Sequence, residues 1–151
     1  MPLPAGYRTL ASMGMTTVVD LRAEDLSAAQ LAGPREAGLK VVHLPIRDGQ
    51  TPKPDQVRQF LGVVAKASGP VFVHCGAGVG RTGAVAAAYL VQTGEQSSAG
   101  AVRRDLAVGP PSIEQIYYGL NLSSSKAEQP PLPVVMVSRL VDARRQIWSS
   151  L

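Results

Sequence analysis

The sequence predicts an α/β fold, with a central, mainly parallel sheet flanked by helices. Three observations carry that expectation. Short β-branched runs alternate with stretches of helical apolar period, the pattern of strand–helix–strand crossovers. The 151 residues are enough for one packed domain and leave little room for a second. A glycine-rich loop joins a short apolar run to a small-residue helix, the junction at which open parallel sheets gather ligands.

Element by element, Ala5–Met13 reads as a short helix and Thr16–Leu21 (TTVVDL) as the first strand. Leu26–Ala37 is Ala-rich and helical, with Gly33-Pro34 expected to break or bend it. Lys40–Ile46 (KVVHLPI) is the second strand, followed by the polar loop Arg47–Lys53. Pro54 opens a helix over Asp55–Ala67, whose Val57, Phe60, Leu61 and Val64 recur at helical spacing. Val71–His74 (VFVH) is the third strand. Thr82–Gln92, Ser97–Ala107 and Ser112–Leu122 follow as helices, the last with Ser112 and Gln115 at capping-box spacing. These elements form a domain over residues 1–122. Residues 123–133 (SSSKAEQPPLP) read as a linker. Residues 134–151 read as an amphipathic helix that packs back on the domain through Val134, Val137, Leu140, Val141, Ile147 and Trp148. Three strands make a narrow sheet with an edge at risk of exposure.

Composition narrows the function. No apolar run reaches the length of a membrane span, and the first ten residues lack the pattern of a secretion signal, so a cytoplasmic protein is expected. One cysteine excludes a disulfide framework and any Cys-rich zinc site. The net charge of +4 suits anionic partners, but the basic residues are scattered and aromatics are 5% of the chain. Neither a phosphate-tracking stripe nor a base-stacking platform is present, and no nucleic-acid partner is expected. The excess of Arg over Lys and the Ala/Gly/Val/Pro bias point to a GC-rich, bacterial genome.

The chemistry gathers in one segment, His74-Cys75-Gly76-Ala77-Gly78-Val79-Gly80-Arg81-Thr82-Gly83. Its glycines let successive backbone N–H groups turn inward and form an anion nest. The helix that follows aims its free N–H groups and dipole at the same point. A cysteine at that nest has its thiolate stabilised and its pKa lowered. Arg81, six residues on, presents a planar fork that matches two oxygens of a phosphoryl group. The residues at 76 to 81 are therefore the candidate phosphate cradle, with Cys75 as nucleophile.

A cysteine nucleophile needs an acid for the leaving oxygen. Asp48 lies in a loop that leaves the second strand at the same sheet edge as Cys75. Gly49 and Pro52 give that loop room to swing and a means to hold its shape. Asp55, next to Pro54, fits a helix start better. The same segment also satisfies the G-x-G-x-x-G of a dinucleotide site, with Asp105 at the distance of a ribose-binding acid. That reading places the acid inside a helix and leaves Cys75 and Arg81 without a role.

HCGAGVGRTG matches in full the H-C-x5-R-[ST] signature of the cysteine-dependent protein phosphatases, and LPIRDGQTP resembles the acid loop of their compact dual-specificity group. The resemblance runs from about Thr16 to Leu122 and leans toward the branch of the cyclin-dependent-kinase-associated phosphatase. It implies a dual-specificity-phosphatase-like fold and a metal-independent phosphomonoester hydrolase without a cofactor. Cys75 would form a phosphocysteine and Arg81, with the amides of Gly76, Ala77, Gly78, Val79 and Gly80, would hold the equatorial oxygens. Asp48 would act as acid and then base, and Thr82 would steady the departing thiolate. His74 would orient the loop, and Gln115 would position water or simply cap its helix.

The implied substrate is a phosphorylated protein or a small phosphomonoester, with tyrosine and dual specificity both open. The absence of lysine from residues 76–80 disfavours polyphosphoinositides. Relatives carry one or two strands before the first helix; this chain starts almost at that helix, so N-terminal strands are expected to be missing or replaced. Two other readings of the loop remain, a non-catalytic phosphate-binding module and a thiol-relay enzyme, the latter without the partner cysteines it would need.

Overall fold

A computed structural model describes residues 2–149, with the side chains of 29, 31 and 144–149 excepted. The elements in chain order are α1 (Pro4–Ser12), β1 (Thr17–Arg22), α2 (Ala28–Glu36), β2 (Lys40–Ile46), α3 (Pro54–Lys66), β3 (Val71–His74), α4 (Gly80–Gln92), α5 (Ser98–Val108), α6 (Ile113–Leu120) and α7 (Leu132–Ser149). The sheet has three strands in the order β2-β1-β3, and both pairings are parallel. The fold is the expected helix-flanked α/β architecture.

The central strand shows why. All six residues of β1 are buried, and their alternation divides the core in two. Val18 packs with Tyr7 of α1 and Leu39 on one face. Val19 and Leu21 pack with Phe60 of α3 and Val85 of α4 on the other. A third cluster lies among the helices, where Tyr118 of α6 meets Val57, Ala84, Ala88 and Ala101. The small residues of α4 let α5 and α6 approach closely. At the end of β1 a register shift between Asp20 and Arg22 accompanies their buried ion pair, 2.6 Å from Nη2 to Oδ2.

Three elements differ from their sequence readings. The helix α2 runs through Gly33-Pro34 instead of breaking there. Its start is fixed by a capping box between Ser27 and Gln30, and Gly33 lets it pack directly on the Tyr7 ring. The α7 helix does dock on the domain, but through Ser138, which is 1% exposed, flanked by half-buried Val134, Val141 and Asp142. Val137 and Leu140 face outward; Ile147 and Trp148 lie outside the described side chains. The reason is polar: the Ser138 hydroxyl accepts the Glu114 N–H at 3.2 Å, satisfying a free donor in the first turn of α6. Apolar periodicity carries no trace of such a contact. Residues 123–133, finally, fold back through a bridge between Leu122 and Ala127, and Ala127 joins the helical core.

The Tyr118 hydroxyl is buried in that core without a hydrogen-bond partner among the described residues. A desolvated, unpaired hydroxyl costs free energy, so Tyr118→Phe is expected to stabilise the fold by about 1 kcal/mol, as read by denaturant unfolding.

Candidate active site

The three parallel strands deliver their C-terminal ends to one edge, and the candidate residues meet there. Glu24 follows β1, Asp48 follows β2 and Cys75 follows β3. The loop after β3 curls so that the Gly78 N–H donates to the Cys75 Sγ at 3.3 Å, with Gly78 at φ +78°. The α4 helix then begins at Gly80, immediately behind the loop. Cys75 is buried, which pushes its thiol up. The Thr82 hydroxyl and amide, the Gly78 amide and the Arg81 charge outweigh that effect and leave the thiol below its ordinary value. The Thr82 hydroxyl is buried and within none of the hydrogen bonds made among the described residues.

Arg81 is 3% exposed and held on one edge of its guanidinium. Its Nη1 donates to the Ile46 carbonyl at 3.1 Å and to Glu24 Oε2 at 2.8 Å, and its Nη2 lies 2.7 Å from Glu24 Oε1. The hydrogen bond from Arg81 holds the Glu24 carboxyl below the usual range. Arg81 Nε is buried without a hydrogen bond; Asp48 Oδ1 is an ionic neighbour at 3.3 Å, outside hydrogen-bonding geometry. Asp48 itself is 73% exposed at the rim.

Behind the loop, His74 is buried and its pKa is pushed down by that burial, so the ring is neutral near pH 7. Its Nδ1 lies 3.2 Å from the Cys75 carbonyl, which can only accept, and this places the proton on Nδ1. Nε2 then accepts from the Tyr7 hydroxyl of α1 at 3.2 Å. His74 is thus a strut between α1 and the loop.

Above the loop lies a cleft of about 260 Å³, walled by Asp48, Ala77, Val79, Gly80, Gln115 and Asp142. Cys75, buried within the loop, is not part of the wall. Gln115 is 3% exposed and does several things at once. Its Oε1 accepts the Ser112 N–H at 2.9 Å, completing the capping box, while Nε2 donates to the Gln50 carbonyl at 3.0 Å. Its carboxamide also fills the space that a side chain at Gly80 would need. The capping role is therefore realised, and the same group ties the Cys75–Arg81 loop to the Asp48 loop. Ser112 adds a second tie, donating to the Gly49 carbonyl at 2.6 Å. The acid loop, expected to swing, is stitched to α6.

Asp105 lies on α5, where its carboxylate packs against Gly83 so closely that a Cβ there would collide with it. It occupies no strand end, and the third glycine of the G-x-G-x-x-G pattern serves this contact. Glu24, Tyr7 and Asp142 are the site neighbours that the sequence reading missed. Glu24 alone left a signal, an acid two residues beyond a strand that ends at the active edge. Among the described residues no group of three or more His, Cys, Asp or Glu could hold a metal ion, and no helix is long and apolar enough to cross a membrane.

A parallel sheet feeding a Cys-x5-Arg loop into a helix is the architecture of the cysteine-dependent phosphatases. Residues 1–95 match the family described as "Polymorphic toxin system, DSP-PTPase phosphatase", and the chain belongs to that family. Among curated proteins it resembles the dual specificity protein phosphatase CDC14A of Mus musculus, 36% identical over 78 residues; the match takes in 52% of this chain and 12% of that protein. Among solved structures it resembles Tk-PTP in its active form, with TM-score 0.66, 24% identity, and 83% and 88% of the two chains covered. The kinase associated phosphatase carrying serine for its catalytic-site cysteine gives TM-score 0.66 at 21% identity, covering 77% of this chain and 72% of that one. These structural likenesses are likenesses of fold.

Burial pushes the Asp105 carboxyl up to about 6 from an ordinary 3.8. The folded state therefore binds this proton more tightly than the unfolded chain, and the stability so gained is lost as pH rises from about 4 through 6. Asp105→Asn is expected to melt above the wild type near about pH 7.5 and to converge with it below about pH 4, in thermal unfolding followed across pH.

Proposed function

We propose that the chain is a metal-independent phosphomonoester hydrolase that works through a phosphocysteine, a bacterial protein tyrosine or dual-specificity phosphatase. The observation that carries this reading is the half-occupied Arg81. Its guanidinium is buried and fixed by Glu24 and Ile46 on one edge, while Nε, beside a cysteine of lowered pKa, makes no hydrogen bond and has only the exposed Asp48 carboxylate as an ionic neighbour at 3.3 Å. A buried donor of that kind is satisfied by an anionic oxygen.

In the proposed reaction the Cys75 thiolate attacks phosphorus in line as the ester P–O bond breaks. Arg81 and the loop amides from Gly76 to Arg81 hold the equatorial oxygens and stabilise their charge in the transition state. Asp48 gives its proton to the leaving oxygen. The resulting carboxylate then takes a proton from water as that water attacks the phosphocysteine, the S–P bond breaks, and inorganic phosphate leaves. Thr82 steadies the departing thiolate and His74 keeps the loop in register. The substrate is a phosphorylated protein or a small phosphomonoester, and the compartment is the cytoplasm, which keeps a lone reactive cysteine reduced. In the setting that the family describes, removal of phosphate from a target's proteins is the activity such a domain would deliver.

The test is hydrolysis of aryl phosphates with chelator present. Turnover is expected to survive chelation and to vanish in Cys75→Ser. Asp48→Asn should lose ~10²–10⁴-fold in kcat/KM, which reports the first transfer, on a poor leaving group and little on an activated one. On the acid side kcat/KM should rise with pH below the usual thiol range, because the thiolate is the reacting form. Phosphate or vanadate binding without turnover would instead identify a phosphate-binding module.

A further inference from the structure

The acid loop has an anchor that the capping residues of α6 do not supply. Its entry is fixed by Gln56 of α3, which donates to the Pro45 carbonyl at 2.8 Å, and by Arg81 on the Ile46 carbonyl. Its middle is fixed by Ser112 and Gln115. Its exit, Thr51-Pro52, is buried and runs straight into the first turn of α3. There the chain meets Gln129, from the segment between α6 and α7. Gln129 Nε2 donates to the Pro52 carbonyl at 2.8 Å, and its Oε1 accepts from the Thr51 hydroxyl at 3.3 Å.

Both ends of one carboxamide are thus spent on two adjacent residues of the acid loop. The segment that brings it there is itself shaped for the task. A tight turn between Ser123 and Lys126 reverses the chain, with Ser123 N–H donating to the Lys126 carbonyl at 3.0 Å. Ala127 then anchors in the core and leaves Gln129 over the loop exit.

We propose that Gln129 is a positioning residue for proton transfer by Asp48; the inference rests on the phosphatase reading above. With Gln56 and Arg81 at its entry and the α6 ties and the Gln129 clasp from Gly49 onward, the loop is held on both sides of Asp48. The φ of +74° at Gly49 is the pivot next to it. Removing the clasp leaves the Thr51 hydroxyl and the Pro52 carbonyl without these partners and frees the exit to shift. A shift of that kind moves the Asp48 carboxyl relative to the leaving oxygen while the Cys75 loop stays in place.

The experiment compares wild type, Gln129→Ala, Gln129→Glu and Asp48→Asn on phenyl phosphate and on p-nitrophenyl phosphate. Gln129→Ala is expected to lose about tenfold or more in kcat/KM on the poor leaving group, and less than about twofold on the activated one. Gln129→Glu keeps the acceptor for Thr51 but loses the donor, and should fall between the two. Amide exchange read by mass spectrometry should quicken at residues 48–51 in Gln129→Ala and stay unchanged at residues 76–81. Equal losses on both esters, or unchanged exchange at 48–51, would overturn the proposal. If wild type hydrolyses neither ester, the phosphatase reading falls and the positioning role falls with it. If wild type is active but Asp48→Asn shows no leaving-group dependence, the acid is elsewhere and the assignment of Gln129 to it is overturned alone.

Discussion

A guanidinium that is 3% exposed is the constraint around which the rest of the molecule is arranged. Taking such a charge out of water costs several kcal/mol unless geometry and partners compensate. The compensation here comes from every strand of the sheet. Glu24 arrives from the end of β1, the Ile46 carbonyl and Asp48 from the end of β2, and the loop that carries Arg81 from β3. The parallel order β2-β1-β3 brings these ends together at one edge, so satisfying the buried charge and forming the site are the same event. Glu24, half exposed, keeps part of its own hydration, which limits the desolvation to one partner of the pair.

Backbone satisfaction follows the same economy in the acid loop. At the end of β2 and beyond it, where the ladder gives out, the carbonyls of Pro45, Ile46, Gly49, Gln50 and Pro52 all accept from side chains. Those donors lie on α3, on α4, on α6 and in the segment before α7. Helix caps therefore serve twice. Ser112 and Gln115 close the first turn of α6 and hold the loop; Ser138 of α7 occupies another donor of the same turn. The carbon side of the core can stay small under these conditions, because much of what joins the layers is directional and polar.

The parts of the molecule governed by local rules were legible in the sequence. β1 and β3 announce themselves by β-branching, Pro54 starts α3, the Ser112–Gln115 spacing gives its capping box, and the glycines from Gly76 to Gly80 mark a tight loop between β3 and α4 without any tertiary information. What the sequence withheld is what depends on long-range polar contacts. Glu24 reaches Arg81 across 57 positions and Gln129 reaches Pro52 across 77, with no periodicity to betray either. The burial of Ser138 in place of Val137 is the sharpest case. Apolar spacing favoured one face of α7, and a single hydrogen bond to Glu114 selects another. Pro34 inside α2 taught the converse, since tertiary packing against Tyr7 overrides a local breaker.

The glycine pattern of the loop shows how a motif can be satisfied for reasons other than those it is named for. Gly78 is needed because its backbone sits at positive φ, turning its N–H toward the sulfur. Gly83 is helical and has no such need; it is glycine because the Asp105 carboxylate fills the volume of a side chain. A dinucleotide site needs its last glycine for close helix–strand packing beneath a pyrophosphate. Here the same position faces α5, away from the cleft, and the acid that mimics a ribose ligand is the very group that excludes a side chain there. The spacing of glycines is thus shared by two unrelated solutions, whereas a nucleophilic cysteine inside the nest, with an arginine returning over it, belongs to one. Cys75 and Arg81 distinguish the two solutions, and the glycines reflect only the turn at Gly78 and the close packing at Gly80 and Gly83.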